Sequence, residues 1–288
     1  MQIEAGVDWV TLSAPVPDDP MENGPIWQIV APWFRARERV GLRTDEVSRR
    51  GYHGIGNNGL AYLENARWCY AEVPGPQSEL ALSAWAHVAE KVRVTRLDLQ
   101  VTVGGDGVGT WWGRTAYAMA HHPADGRKRS VSDVGPPDGS YTVYVGSPSS
   151  DYLLRIYRKD KESPLENWGI PSWRYEMRIR KPYSQQIAAK LVWLDDKAMR
   201  VAIGAYLADE LKIRGIAVPW PVEQGVKIAV PYDRKPTPFD KKLAWLETSV
   251  GPTVRELIGS GLVAETLKAL GIAASSELAR LVVRELAK

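Results

Sequence analysis

Apolar and polar positions alternate most cleanly over residues 92–103, Val-Arg-Val-Thr-Arg-Leu-Asp-Leu-Gln-Val-Thr-Val. Thr95, Leu97, Leu99, Val101 and Val103 fall on one side of a period-two repeat; Val94, Arg96, Asp98, Gln100 and Thr102 fall on the other. The pattern predicts a strand with one apolar face. Residues 140–146 and 152–161 alternate in the same way around Ser147-Pro-Ser-Ser-Asp151, a run of turn formers, and predict a hairpin. Residues 172–181 give another strand, with Trp173, Tyr175, Met177 and Ile179 opposed to Arg174, Glu176, Arg178 and Arg180. A first strand is expected at 7–12 and an extended pair over 62–73, while the Gly- and Asn-rich stretch 51–59 reads as a turn region. Helical spacing appears at 26–40, 76–91, 110–121, 183–193 and 197–213, then at 241–251, 253–269 and 276–287. Strands come first and helices last. The expected fold class is α+β, a central antiparallel β-sheet with helices on one face and a mainly helical C-terminal third. The expected division is a β-sheet domain at 1–182 and a helical region at 183–288.

Composition narrows the picture. The 288 residues are 44% hydrophobic and 25% charged, enough for an ordinary globular core. No apolar run approaches the ~20 residues that cross a bilayer, and the opening Met1-Gln2-Ile3-Glu4, with no basic or apolar stretch, leads to the expectation of no signal peptide. A single cysteine, Cys69, excludes a disulfide framework and a multi-cysteine zinc site. The expected compartment is the cytoplasm, with no membrane partner. Net charge is only +3, but residues 152–181 hold eight basic side chains against four acids. Twelve Trp and twelve Tyr stand against two Phe, and Trp and Tyr can stack on bases as well as fill cores.

The polar faces of the three best strands carry the candidate chemistry. They show Arg96, Asp98 and Gln100; Arg155, Tyr157 and Lys159; and Arg174, Glu176, Arg178 and Arg180. Two carboxylates, a tyrosine and several guanidiniums on one sheet face suit phosphoryl transfer. Asp98 and Glu176 are hard oxygen ligands for Mg²⁺ or Mn²⁺. Arg155 and Arg174 can clamp phosphate oxygens in a bidentate fork. Tyr157 can attack phosphorus, helped by the cations two residues to either side. A solvated ladder of cross-strand ion pairs would have the same composition.

Three blocks then carry a resemblance. Thr95-Arg-Leu-Asp98-Leu is similar to an Arg-Leu/Ile-Asp strand. Gly146-Ser…Ser150-Asp151…Arg155-Ile-Tyr157-Arg-Lys159 is similar to a Gly-Ser-x-x-Ser-Asp/Glu…Arg-x-Tyr-x-Lys block, and Trp173-Arg174-Tyr-Glu176 to a Trp-Arg-x-Glu strand. In this order they resemble the replication initiation factor family, the rolling-circle Rep proteins of the staphylococcal plasmid type and related phage and integrative-element nickases. The likeness spans roughly residues 5–185. It implies a metal-dependent nickase and joinase acting at a plasmid or phage origin, with residues 1–182 as the catalytic domain and the C-terminal helices aiding DNA binding. It makes Tyr157 the nucleophile that stays on the 5′-phosphate, and Arg155, Lys159 and Arg174 phosphate contacts. Asp98, Glu176 and Glu72 become metal ligands for Mg²⁺ or Mn²⁺; Arg96, Arg158, Arg178, Arg180 and Lys181 become DNA contacts. Partners would be double-stranded origin DNA and the nicked single strand, with room for a host helicase and a homodimer. Relatives often place a second acid four residues after the first Asp. Here that position is Thr102, which leaves fewer protein ligands or a substitute such as Glu72 or Asp8.

Other readings fit less well. No His is followed three residues later by Arg, as a tyrosine recombinase requires, and the His-hydrophobic-His triplet of the larger nickase class is absent. His121-His122 reads as a helix cap or surface pair. The run Gly104-Gly105-Asp106-Gly107-Val108-Gly109 lacks the Gly-Lys-Ser/Thr ending of a phosphate loop. Trp111-Trp112, with Arg114 and Arg127 nearby, could stack on melted DNA. Two alternatives stay open: a relaxase of an integrative element, with the same chemistry, and a non-catalytic origin-binding protein.

Overall fold

The structure is a computed structural model; it describes residues 1–17, 24–49, 51–57, 59–105, 119, 130–134, 142–162, 170–180, 182–223 and 228. The chain divides into two compact units, 1–230 and 231–288, and the second lies outside the described residues. The helices expected at 110–121 and beyond 241 fall almost wholly outside them as well. Residue 182 is interior to the first unit.

Ten described strands form one sheet in which every pairing is antiparallel. They are β1 (Gln2–Pro15), β2 (Asp45–Arg49), β3 (Tyr52–Asn57), β4 (Leu60–Glu64), β5 (Trp68–Pro74), β6 (Arg93–Gly104), β7 (Val131–Val134), β8 (Thr142–Val145), β9 (Tyr152–Arg158) and β10 (Ser172–Arg180). Their order across the sheet is β2-β3-β4-β5-β1-β6-β10-β9-β8-β7. The two strands expected to hold the carboxylates, β6 and β10, are therefore neighbours at its middle. The helices are α1 (Pro25–Arg39), α2 (Gln77–Ala86), α3 (Lys159–Glu162), α4 (Tyr183–Leu191) and α5 (Asp196–Ile213). None of the described helices is long and apolar enough to cross a membrane.

One hydrophobic core joins the apolar sheet face to the helices. Leu97, Leu99 and Val101 of β6, Tyr175, Met177 and Ile179 of β10, and Leu154 and Ile156 of β9 are buried with Ile187 and Leu191 of α4 and Ile203 and Leu207 of α5. The period-two reading of β6 fails at its start. A register irregularity between Thr11 and Leu12 pairs Arg96 with Thr11 and Val94 with Leu12, and Val94 turns into the core.

The stretch at 51–59 is mainly strand β3, not turn. A Cβ on Gly54 would sit 2.0 Å from the Tyr62 carbonyl oxygen, and one on Gly56 would sit 2.7 Å from Val47 Cγ2. These glycines permit close strand approach rather than a reversal. The polar edge strand β2 carries no alternation and was not foreseen. Lys159 was expected on a strand; β9 ends at Arg158 and Lys159 opens α3.

β1 positions the site because it changes partners along its length. Its second half pairs with both β5 and β6, but residues 2–7 pair with β6 alone. The exposed edge of that half is closed by helix side chains. Ser78 Oγ donates to the Val7 carbonyl at 2.6 Å, Val7 N donates to Glu79 Oε1 at 3.2 Å, and Arg200 Nη1 donates to the Ala5 carbonyl at 2.7 Å. Ser78 is fully buried. Ser78→Ala leaves a buried carbonyl without its donor and should cost about 1–3 kcal/mol. Urea unfolding checks this; an unchanged midpoint would mean that water replaces the hydroxyl.

Candidate active site

The polar sheet face is organised in rungs. Glu4, Thr102, Arg174, Tyr157 and Thr142 are cross-strand partners in one. Gly6, Gln100, Glu176, Arg155 and Tyr144 make the next; Trp9, Asp98, Arg178 and Leu153 make the third. Between Val7 and Trp9 the register slips by one residue, so Asp8 is the extra residue of a β-bulge. A cleft of about 710 Å³ lies over these rungs, and Tyr157, Arg174, Glu176, Arg155, Asp98 and Lys159 all line it.

Tyr157 is 4% exposed. Its hydroxyl donates to Glu176 Oε2 at 3.2 Å. The Arg155 guanidinium lies 4.9 Å from the Tyr157 ring centre and donates to both Glu176 oxygens, at 2.9 and 3.1 Å. Burial and the like charge of Asp98 push the Glu176 carboxyl above the usual carboxylate range, and Arg155 opposes them. For Arg155, burial acts against the charge, but Glu176, Tyr157 and Tyr144 outweigh it and hold the proton more tightly than usual. Arg174 sits directly across from Tyr157. Its Nη1 donates to Asp8 at 2.6 Å and its Nε to Thr102 Oγ1 at 2.9 Å. Thr102, where relatives often carry an acid, thus tethers an arginine and in turn donates to Gln100 at 2.8 Å.

Asp98, 1% exposed, accepts a forked pair of hydrogen bonds from Arg96, whose guanidinium lies 4.7 Å from the Trp9 ring centre. Arg178 approaches the same carboxylate only to 3.6 Å. Burial, then the like charge of Arg96, lower its hold on its proton.

The expected residues do not all gather here. Glu72 lies on β5 in the rung of Thr11 and Arg96, two strands and about 10 Å from β6. It pairs with Arg49 at 2.6 Å and does not line the cleft. Arg158 faces the other side of β9, beside Trp173 and bonded to Asp160 at 2.8 Å. Arg180 stays on the polar face and donates to the Pro148 carbonyl at 2.9 Å, bracing the β8–β9 turn. Lys181 lies outside the described residues. The site also recruits groups that carry no local sequence signal. Glu79 and Arg200 arrive from α2 and α5, and Gly6 makes room for them: a Cβ there would meet Glu79 Oε1 at 2.6 Å.

Among the described residues, no group of three His, Cys, Asp or Glu side chains is arranged to hold a metal ion. Asp98 and Glu176 remain as a buried pair of like charges close enough for one to raise the other's proton affinity. That donor set fits Mg²⁺ or Mn²⁺ held by two carboxylates, with water and substrate oxygens completing the shell.

Among solved structures, the chain is similar to a rolling circle replication initiator protein from Geobacillus stearothermophilus, with 20% identity over 73% of this chain and 85% of that one and a TM-score of 0.49. It is also matched to the complex of the prokaryotic ubiquitin-like protein Pup with its ligase PafA, with 10% identity over 98% of this chain and 72% of that one and a TM-score of 0.23. Neither likeness bears on activity at these levels. No family model and no curated protein matches the chain.

The Asp8–Arg174 pair should be energetically coupled. Asp8→Asn is expected to destabilise the protein by about 1.5–3 kcal/mol, the range for hydrogen bonds to charged groups. Asp8→Asn with Arg174→Gln should cost clearly less than the sum of the single changes. Chemical unfolding of the four proteins measures this, and strict additivity would mean that the pair is not formed.

Proposed function

We propose that this chain initiates rolling-circle replication by nicking and rejoining one DNA strand at an origin, with Tyr157 as nucleophile. The observation that carries the reading is the meeting of Tyr157, Arg174, Arg155 and Glu176 on two adjacent rungs at the wall of one cleft. These residues come from the sequence blocks that resemble the replication initiation factor family.

The chemistry follows from the contacts. Tyr157 Oη attacks the scissile phosphorus; the Oη–P bond forms as the P–O3′ bond breaks. The phenolic proton has an acceptor in place at Glu176 Oε2. Arg155 beside the ring stabilises the charge that develops on the phenolic oxygen. Arg174, held by Asp8 and Thr102, offers its remaining N–H groups to the phosphate, and Lys159 adds a further cation to the cleft. The departing 3′ oxygen takes a proton and becomes the primer end. The 5′-phosphate stays on Tyr157, and rejoining is the reverse displacement. A bound Mg²⁺ or Mn²⁺ supplies charge neutralisation at the phosphate, and Asp98 and Glu176 are the residues that would hold it.

Mixing the protein with supercoiled DNA of its host replicon and Mn²⁺, then denaturing in detergent, should give a protein-linked strand whose phosphopeptide contains Tyr157. Tyr157→Phe should abolish the adduct and change DNA affinity by less than about tenfold, since one hydroxyl contact is worth about 1 kcal/mol. An adduct from the Phe variant would overturn the nucleophile assignment. Tight, salt-sensitive binding with no adduct in Mg²⁺ or Mn²⁺ would favour a non-catalytic origin-binding protein.

A further inference from the structure

Five arginines among the described residues line the cleft, and four have hydrogen-bonded acceptors. Arg96 bonds Asp98, Arg155 bonds Glu176, Arg174 bonds Asp8 and Thr102, and Arg200 bonds the Ala5 carbonyl. Arg178 differs: its Nε is buried without an acceptor, as is that of Arg155, but Arg155 bonds Glu176 through Nη1 while the nearest carboxylate oxygen to Arg178 stands 3.6 Å away. The Asp98 oxygen at 3.6 Å is beyond hydrogen-bond reach and already accepts from Arg96. Across the rung stands Leu153, which offers nothing polar. Two guanidiniums thus share one carboxylate, and the end of the cleft near Trp9 carries a surplus positive charge. A buried N–H without an acceptor is costly. The oxygens of a phosphodiester match a guanidinium fork and supply the missing charge.

We propose that Arg178, with Arg96 on its Trp9 platform, forms a second phosphate subsite that holds a backbone phosphate of the bound single strand, distinct from the scissile one. The proposal rests on the reading of the cleft as a DNA site. Arg174, opposite Tyr157, and Arg178 are four residues apart on β10, about 13 Å at ~3.3 Å per residue. Stacked DNA advances ~3.4 Å per nucleotide along one strand, so the phosphate at Arg178 lies a few nucleotides from the nick. Trp9 and Arg96 line the same end of the cleft. They give the base of that nucleotide an aromatic and a guanidinium surface to stack on. The strand would then run along the β6–β10 ladder from Tyr157 toward Trp9.

The test uses the full chain with Tyr157→Phe, without divalent metal, and a short single-stranded oligonucleotide of mixed sequence. Anisotropy titrations across a salt series should show that Arg178→Gln weakens binding about tenfold at low salt. The slope of log affinity against log salt should fall by ~0.7, the value for one single-strand phosphate contact. Lys212→Gln, the same charge change on α5 outside the cleft, should leave the slope unaltered. With the origin strand, one neutral methylphosphonate is then placed at each position in turn. One position away from the scissile phosphate should cost affinity in the parent protein and nothing further in Arg178→Gln. Arg178→Lys keeps the charge and loses the fork; it should recover the slope but not the full affinity. Equal penalties at every position in both proteins would overturn the subsite. Coupling only at the scissile phosphate would move Arg178 into the reaction centre and also overturn it. If the oligonucleotide shows no salt-dependent binding at all, the DNA reading of the cleft fails together with the subsite.

Discussion

Two carboxylates buried side by side on a sheet face cannot remain ionised without positive charge around them, and the polar side of this protein is built on that constraint. Each buried ion costs several kcal/mol of lost hydration unless it is paired and hydrogen-bonded. Asp98 and Glu176 are each 1% exposed, and guanidiniums meet both: Arg96 and Arg178 around the first, Arg155 on the second. The balance is incomplete in two informative ways. Glu176 still holds a proton more tightly than an ordinary carboxyl, and the Tyr157 hydroxyl donates to it. Arg178 is left with a donor that has no acceptor. A face whose charges were all satisfied internally would have little reason to bind a polyanion.

The second organising feature is the bulge at Asp8. A regular β1 would alternate its side chains into the core and the cleft without interruption. The extra residue aims Asp8 at Arg174 and lets Trp9 rejoin the polar face opposite Asp98. β1 also loses its pairing with β5 before residue 9, and Ser78, Glu79 and Arg200 close the gap. The same three side chains tie α2 and α5, which belong to the core, to the rim of the cleft. Core packing and site geometry are therefore coupled through one short length of strand.

Much of this was legible in the chain because strand periodicity is local. The polar faces of 155–157 and 174–180 emerge as read, since a period of two places every second residue on one side once the element is a strand. The reading failed where non-local contact decides. Val94 turns inward because of an irregularity against Leu12 of β1. Gly54 and Gly56 resemble turn glycines until the approach of Tyr62 and Val47 gives them a different purpose. Arg158 is basic and adjacent to Tyr157, but adjacency on a strand means the opposite face, and it lies against Trp173. Glu72 shares the polar face, yet strand order puts it two strands away from Asp98.

The amino-acid order alone determined the class of fold, the central strands and the chemical character of one sheet face, because each depends on propensity and period within about ten residues. Only the tertiary structure decided that β6 and β10 are neighbours, that the bulge at Asp8 delivers a carboxylate to Arg174, that helices supply Glu79 and Arg200, and that Arg178 lacks an acceptor. Those outcomes depend on which strands pair and in what register, and pairing is settled by burial between residues far apart in the chain.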